Sequence, residues 1–368
     1  MIYFDNASTT KMDQSVIDEM VKSFEKSFAN PSSLHSLGFD VEKEIRQVRS
    51  TLAKELKVKD NTIFFTPSGT IANNAVMQNA MKLNKNGNII ISQIEHASIQ
   101  KCASEYDYDF RIAPVDRHGF IIKEELLDLV DENTVLVSAI HVNNEIGSIN
   151  NINELAKLVK EKNPKTLFHS DGVQAFKKID VKVDDVDFYT ISGHKINGPK
   201  GIAVLYIKNP TNFRPMYFGG GQEKGLFSAT ENTYAIIGLG QAIKLENHYE
   251  NIYRVNQLMR QELSKTQGVK ILTSEINSSP YILNVCFDGI GAEILLHYLE
   301  MDDIYISTGS ACSKGAKSKV LESLGLSEKE IEGCVRISFD RNSSEGEVKE
   351  FIDKLKTRLE MIRGILKR

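Results

Sequence analysis

The chain has 368 residues, of which 41% are hydrophobic and 26% charged, with a formal net charge of −4. This is the composition of an ordinary soluble globular protein, too long for one small core, so two domains are expected. The mildly acidic balance gives no electrostatic case for nucleic acid as the main ligand, and no apolar run approaches the roughly 20 residues of a membrane span. The opening Met1-Ile2-Tyr3-Phe4-Asp5-Asn6 lacks a basic stretch followed by an apolar one. An export signal is therefore not expected, and the cytoplasm is the expected compartment.

Short apolar runs alternate with helical patterns along the chain. Ile63-Phe64-Phe65 reads as a strand, 70–81 as a helix, 88–91 as a strand and 97–104 as a helix. The apolar run 135–140 precedes a helix over 152–162, and 167–169, 188–191 and 202–206 complete the strands of this part. One long helical pattern spans 234–266. Beyond it come a strand at 282–287, a helix at 292–300, strands at 304–307 and 335–339, and a charged helix over 346–367. Continuous apolar strands separated by amphipathic helices predict an α/β fold with a mainly parallel sheet covered on both faces. The mixed second part predicts a smaller α+β domain. Ligands of such sheets bind beyond the strand ends. The polar segments 92–96, 141–145, 171–174 and 192–195 each follow an apolar run, so they are expected to meet in one crevice.

Ser192-Gly193-His194-Lys195, followed by Gly198-Pro199-Lys200-Gly201, puts a lysine between a strand and a glycine-rich turn. A lysine that attacks a carbonyl needs a desolvated, rigidly placed amine. Leu167-Phe168-His169-Ser170-Asp171 ends a neighbouring apolar run on an aspartate. A lysine and an acid at adjacent strand ends suit pyridoxal phosphate (PLP): the lysine carries the aldehyde, and the carboxylate keeps the ring nitrogen protonated. Taken singly, either residue reads as a surface charge. Thr66-Pro67-Ser68-Gly69-Thr70 can offer backbone and hydroxyl donors to a phosphate, though an ordinary helix cap has the same composition. Ser192, His194 and Thr230 can add donors. His96, after a buried strand, can lie on a ring and move protons. The turn His141 to Gly147 carries two amides and a carboxylate. Arg336, in a buried strand pattern, demands an anion: a substrate carboxylate or a structural carboxylate.

The four cysteines show no zinc spacing and read as reduced thiols. Cys286 and Cys334 lie in strand patterns as small core residues. Cys312 differs, because Ser307 to Gly315 is a small-residue segment in which a thiol beside Lys314 is accessible and favoured as thiolate.

Together these residues resemble the cysteine desulfurases of the NifS/IscS type, a branch of the class V aminotransferase-like, fold type I PLP enzymes. The resemblance runs nearly end to end. It includes Asp5-Asn6-Ala7-Ser8-Thr9-Thr10, Asn30-Pro31-Ser32-Ser33-Leu34-His35, Glu95-His96, His141 to Gly147, Asp171 with Gln174, Ser192 to Lys195, Gly219-Gly220-Gly221-Gln222-Glu223, Ser307 to Cys312, and Arg336-Ile337-Ser338. It implies a mainly parallel seven-stranded sheet in a PLP-binding large domain over 15–255. A small α+β domain from 1–14 and 256–368 would carry the catalytic cysteine loop.

The resemblance further implies that Lys195 binds the PLP aldehyde, Asp171 the ring nitrogen and Gln174 the ring hydroxyl, with His96 stacked as acid/base. Thr70, Ser192 and His194 would bind the phosphate, and Thr230 would do so from the partner subunit of a homodimer. Asn30, Asn144 and Arg336 would lie near the substrate carboxylate, with Asn144 also close to the cofactor. Cys312 would take the sulfur of L-cysteine as a persulfide, releasing alanine, and pass it to an Fe–S scaffold or another acceptor for cluster assembly or tRNA thiolation. Selenocysteine lyase or another class V PLP activity is the alternative reading, and a sulfur-relay scaffold with weakened catalysis is a third. Three positions depart from the family pattern: Ile71 in place of an acid, Phe227 in place of an arginine, and Gly172 where alanine is common.

Overall fold

The computed structural model describes residues 1–308 and 318–366. The chain begins with β1 (Ile2–Tyr3), α1 (Gln14–Lys26) and α2 (Ser36–Leu56), and continues with β2 (Ile63–Thr66), α3 (Gly69–Leu83), β3 (Asn88–Ser92), α4 (Ala97–Glu105) and β4 (Asp109–Ala113). Next come α5 (Lys123–Leu129), β5 (Thr134–Ser138), α6 (Ile152–Lys162), β6 (Leu167–Asp171), β7 (Phe188–Ser192) and β8 (Ala203–Ile207). Then follow α7 (Thr233–Lys244), α8 (Tyr249–Ser264), β9 (Val269–Ile271), β10 (Ile282–Phe287), α9 (Ala292–Glu300) and β11 (Ile304–Tyr305). The last elements are α10 (Lys319–Ser323), α11 (Glu328–Glu332), β12 (Cys334–Ser338) and α12 (Glu345–Leu366).

Seven strands form one sheet in the order β2-β8-β7-β6-β5-β3-β4. Only β8 runs against the others, pairing antiparallel with β2 and β7, so the sheet is mainly parallel as its continuous apolar strands predict. The central strands β3, β7 and β8 are buried along their whole length. The carboxyl ends of β2, β3, β6 and β7 therefore open on one edge, and each delivers a polar segment there. Short side-chain caps fix where the helices begin. Asp13 accepts from Ser15 N before α1, Ser68 from Ile71 N before α3, and His96 from Ser98 N before α4.

The second layer is a three-stranded antiparallel sheet, β12-β10-β9, with α8 against β9, α11 against β10, and α12 packed on α8 and α9. The first residues of the chain return to it: β1 pairs with β11, and Phe4 packs edge-on against Phe339 and Phe351 at 5.2 and 5.6 Å. No helix among the described residues is long and apolar enough to cross a membrane.

Two expectations change. The single helical pattern at 234–266 is two helices, because Leu245 turns extended at the end of α7 and the chain resumes as α8 four residues later. Apolar period alone does not register such a break. Cys286 and Cys334, expected as free thiols, form a disulfide. The antiparallel register of β10 and β12 sets them directly opposite each other, a pairing that their 48-residue separation conceals. Cys102 is free and buried on α4. Cys312 lies outside the described residues.

Candidate active site

β7 ends at Ser192 and turns through Gly193–Lys195, where the tight return needs glycine. A Cβ on Gly193 would stand 3.0 Å from the Pro199 carbonyl, and one on Gly198 would stand 2.8 Å from the Gly193 carbonyl. The Lys195 ammonium donates to the carbonyls of Ala7 (2.7 Å) and Ser8 (2.6 Å). The lysine of the large sheet is thus held by the segment that belongs to the small one.

Asp171, at the end of β6, is buried. Its Oδ1 accepts from Val173 N at 3.0 Å and its Oδ2 from Asn73 Nδ2 at 2.7 Å. Both donors are amides, and no cationic side chain pairs with the carboxyl among the described residues. Asn73 also donates to Ser98 Oγ (2.8 Å), which lies 2.8 Å from His96 Nδ1. Ser98 N donates to the same nitrogen at 3.1 Å. Nδ1 is therefore an acceptor, and the neutral ring carries its proton on Nε2. Asp171 and His96 are joined by two residues to which the sequence reading gave no role, Asn73 and Ser98. Both sit near the starts of helices, Ser98 in the first turn of α4 and Asn73 in the second turn of α3.

Gln174 donates to the Ala7 carbonyl (2.8 Å) and accepts from Lys178 Nζ (2.6 Å). Lys178 is 5% exposed, and burial, with help from Lys195 and Arg336, pulls its pKa down to about 7. Beside Asp171, burial and then the Asp171 charge push the Glu95 carboxyl up to about 8, so this acid is neutral at pH 7. Tyr189 fills the space beside Gly172 and its hydroxyl meets His141 Nδ1 at 2.7 Å.

Of the phosphate candidates, Thr70 is exposed on the first turn of α3 and Ser192 is buried at the end of β7. The His194 Nδ1 lies 3.1 Å from Thr9 Oγ1, and burial with Lys195, Lys200 and Lys178 nearby lowers its pKa to about 4. Thr230 is exposed on the segment before α7. Phe227 packs into an apolar cluster with Phe213, so the residue at the arginine position has become core. The glycine-rich segment 219–223 is fixed by Glu223, which pairs with Arg49 (2.6 Å) and accepts from Phe65 N (2.9 Å).

Arg336 is 2% exposed and bonded to Asp5 Oδ1 (2.7 Å), Ser8 Oγ (2.6 Å) and the Asn144 carbonyl (3.0 Å). The structural carboxylate that the sequence left open is therefore Asp5. Asn144 and Arg336 are brought together, but Asn30 is not: it lies exposed on the loop before α2, its side chain turned onto Ser32 N. The two amides of the His141–Gly147 turn divide their work. Asn143 is buried and holds the turn through Glu145 N, Ile146 N and the Ile94 carbonyl, and Asn144 stays half-buried. Glu145 accepts from Ser318 Oγ at 2.5 Å, which fixes the chain just after the segment containing Cys312.

The sheet, the lysine after β7 and the buried aspartate ending β6 sit in a chain whose residues 2–351 match the class-V aminotransferase family, to which it belongs. The cysteine desulfurase IscS of Clostridium botulinum is 37% identical, covering 94% of this chain and 91% of the relative. A solved NifS-like protein superposes with a TM-score of 0.92 at 32% identity, covering 98% of this chain and 99% of its own. SspA, solved in complex with cysteine, superposes at 0.82 with 30% identity over 93% of this chain and 99% of its own. Within class V, the chain belongs to the cysteine desulfurases of the IscS/NifS type.

Proposed function

We propose that the protein is a PLP-dependent L-cysteine desulfurase that holds the extracted sulfur on Cys312 for an acceptor protein. The observation that carries this reading is the buried Asp171 carboxyl with no cationic partner among the described residues, one strand from a lysine that donates to the Ala7 and Ser8 carbonyls. A buried carboxylate wants a cationic donor, and a protonated pyridine nitrogen is one.

The residues present fit PLP. When bound, PLP supplies an aldehyde for amines and a ring that takes up electrons. Lys195 presents its amine at the end of β7, and Asp171 holds the proton on the ring nitrogen. Gln174 offers an amide N–H to the ring hydroxyl. Thr70, Ser192 and His194 offer donors to the phosphate; His194 is neutral at pH 7 and donates from Nε2 when Nδ1 accepts from Thr9. His96 moves protons at Nε2, because its Nδ1 accepts from Ser98 N. Arg336, with Asn144, draws the substrate carboxylate. The Cys312 thiolate attacks the substrate sulfur: an S–S bond forms and the C–S bond breaks. Its electron pair goes to carbon, which takes a proton to give alanine, and the enzyme keeps a persulfide.

A homodimer completes the proposal. Phe24, Phe28, Leu37 and Phe39, on and between α1 and α2, are each at least half exposed and offer apolar side chains to a second copy. Thr230 is exposed and available to a partner's phosphate site.

The purified protein is expected to sediment as a dimer, to be yellow, and to release alanine and sulfide from cysteine with a reductant. Lys195→Ala loses colour and turnover; Cys312→Ala keeps colour and loses sulfide. Undiminished sulfide from Cys312→Ala would exclude the persulfide step. Activity on selenocysteine but not cysteine would shift the substrate.

A further inference from the structure

A buried lysine needs a reason. Lys178 follows Lys177 and reads in sequence as half of a solvated pair, yet only its neighbour faces water and an acid, Glu55 at 3.0 Å. Among the described residues Lys178 has no carboxylate within ion-pair distance; its hydrogen bond is to Gln174 Oε1 (2.6 Å), and its ammonium lies 5.8 Å from the Tyr281 ring centre. A methionine of similar length would avoid the desolvation of an amine here.

The hydrogen bonds around Gln174 have a fixed sense. The Ala7 carbonyl only accepts, so the amide nitrogen must face it, and the reverse orientation would oppose two acceptors. Gln174 Oε1 must then face Lys178, which supplies the donor. One N–H of the amide is taken by Ala7, and the other is what the residue has to give a ligand. The same Ala7 carbonyl accepts from Lys195. Lys178, Gln174, Ala7 and Lys195 thus form one connected line.

We propose that Lys178 is a positioning residue: by donating to Gln174 Oε1 it locks the amide so that its nitrogen serves the ring oxygen of PLP. This rests on the function proposed above. An N–H donor on that oxygen favours the form of bound PLP that absorbs in the visible over the form that absorbs in the near ultraviolet.

The test compares wild type, Lys178→Met, Gln174→Ala and the double variant as PLP-loaded proteins, with melting temperatures of the apoproteins as control. Lys178→Met is expected to lower the visible-to-ultraviolet band ratio at least twofold and to weaken PLP binding about tenfold, with the apoprotein melting within a few degrees of wild type. Gln174→Ala does the same, and the double variant goes no further. Lys178→Arg keeps a donor, and the adjoining cavity of about 30 Å³ takes its larger head, so its spectrum stays near wild type. A wild-type spectrum from Lys178→Met, or fully additive effects in the double variant, would overturn the role of Lys178. Should Lys178→Met not fold, a Lys178→Arg spectrum that matches Gln174→Ala overturns it equally. A wild-type protein with no visible band would instead overturn the function itself.

Discussion

Gly172 has no room for a side chain: a Cβ there would stand 2.0 Å from the Tyr189 ring. The ring is fully buried and anchored by His141, so it cannot yield. Gly172→Ala is expected to cost about 1–3 kcal/mol by overpacking. Tyr189→Val should relieve it, so that in denaturant melts the double variant is more stable than the sum of the singles; strict additivity would refute this. The departure from alanine at 172 and the tyrosine at 189 are one adaptation, unreadable without knowing that they meet. Glu95 carries a pH signature. Its carboxyl titrates near 8 folded and near 4.5 unfolded, so the folded state binds the extra proton between those values. Its contribution is full below about pH 4.5 and is lost as pH rises towards 8. Glu95→Gln should flatten that fall; an unchanged slope of stability between pH 5 and 8 would argue against a neutral Glu95. The buried His141 and His169, lowered to about 4 and 3, act in the opposite sense and weaken the fold as pH drops below about 6.5. The positions of Asp171 and Lys195 are legible in the sequence because each stands at or just past the end of an apolar run, the first buried and the second half-buried. Lys178, Asn73 and Ser98 are not, because nothing local separates a buried lysine or a structural amide from a solvated one.

At the scale of elements, period and punctuation carry far. The strands of the large sheet and most of its helices follow from continuous apolar runs, because a sheet covered on both faces admits little else. The edge strand β4 escapes, since Asp109-Phe110-Arg111-Ile112 alternates and is partly exposed. So does the junction between α7 and α8, which depends on a packing corner rather than on composition. The disulfide between β10 and β12 is the sharpest miss: strand character is readable, pairing register is not. Closing a loop of 48 residues, it should stabilise the small sheet by about 3–4 kcal/mol on the chain-entropy account. Cys286→Ser with Cys334→Ser, or reduction in denaturant-free buffer, is expected to lower the melting temperature by several degrees. An unmoved transition would mean that the bond adds nothing. Arg336 and Asn284 lie on the same two strands, so looser pairing there should also raise KM for cysteine.

The molecule as a whole is tied together by its first ten residues. Asp5 and Ser8 hold Arg336, Ala7 and Ser8 hold Lys195, and the Ala7 carbonyl also takes Gln174. Contacts of this length are slow to form, because much of the chain must already be in place. There is a consequence for biosynthesis. Asp5 waits for Arg336, 331 positions later. The centre therefore closes only after Arg336 has been made. A partly made chain has the lysine and the carbonyls of Ala7 and Ser8 but not the arginine that pins their segment through Asp5 and Ser8.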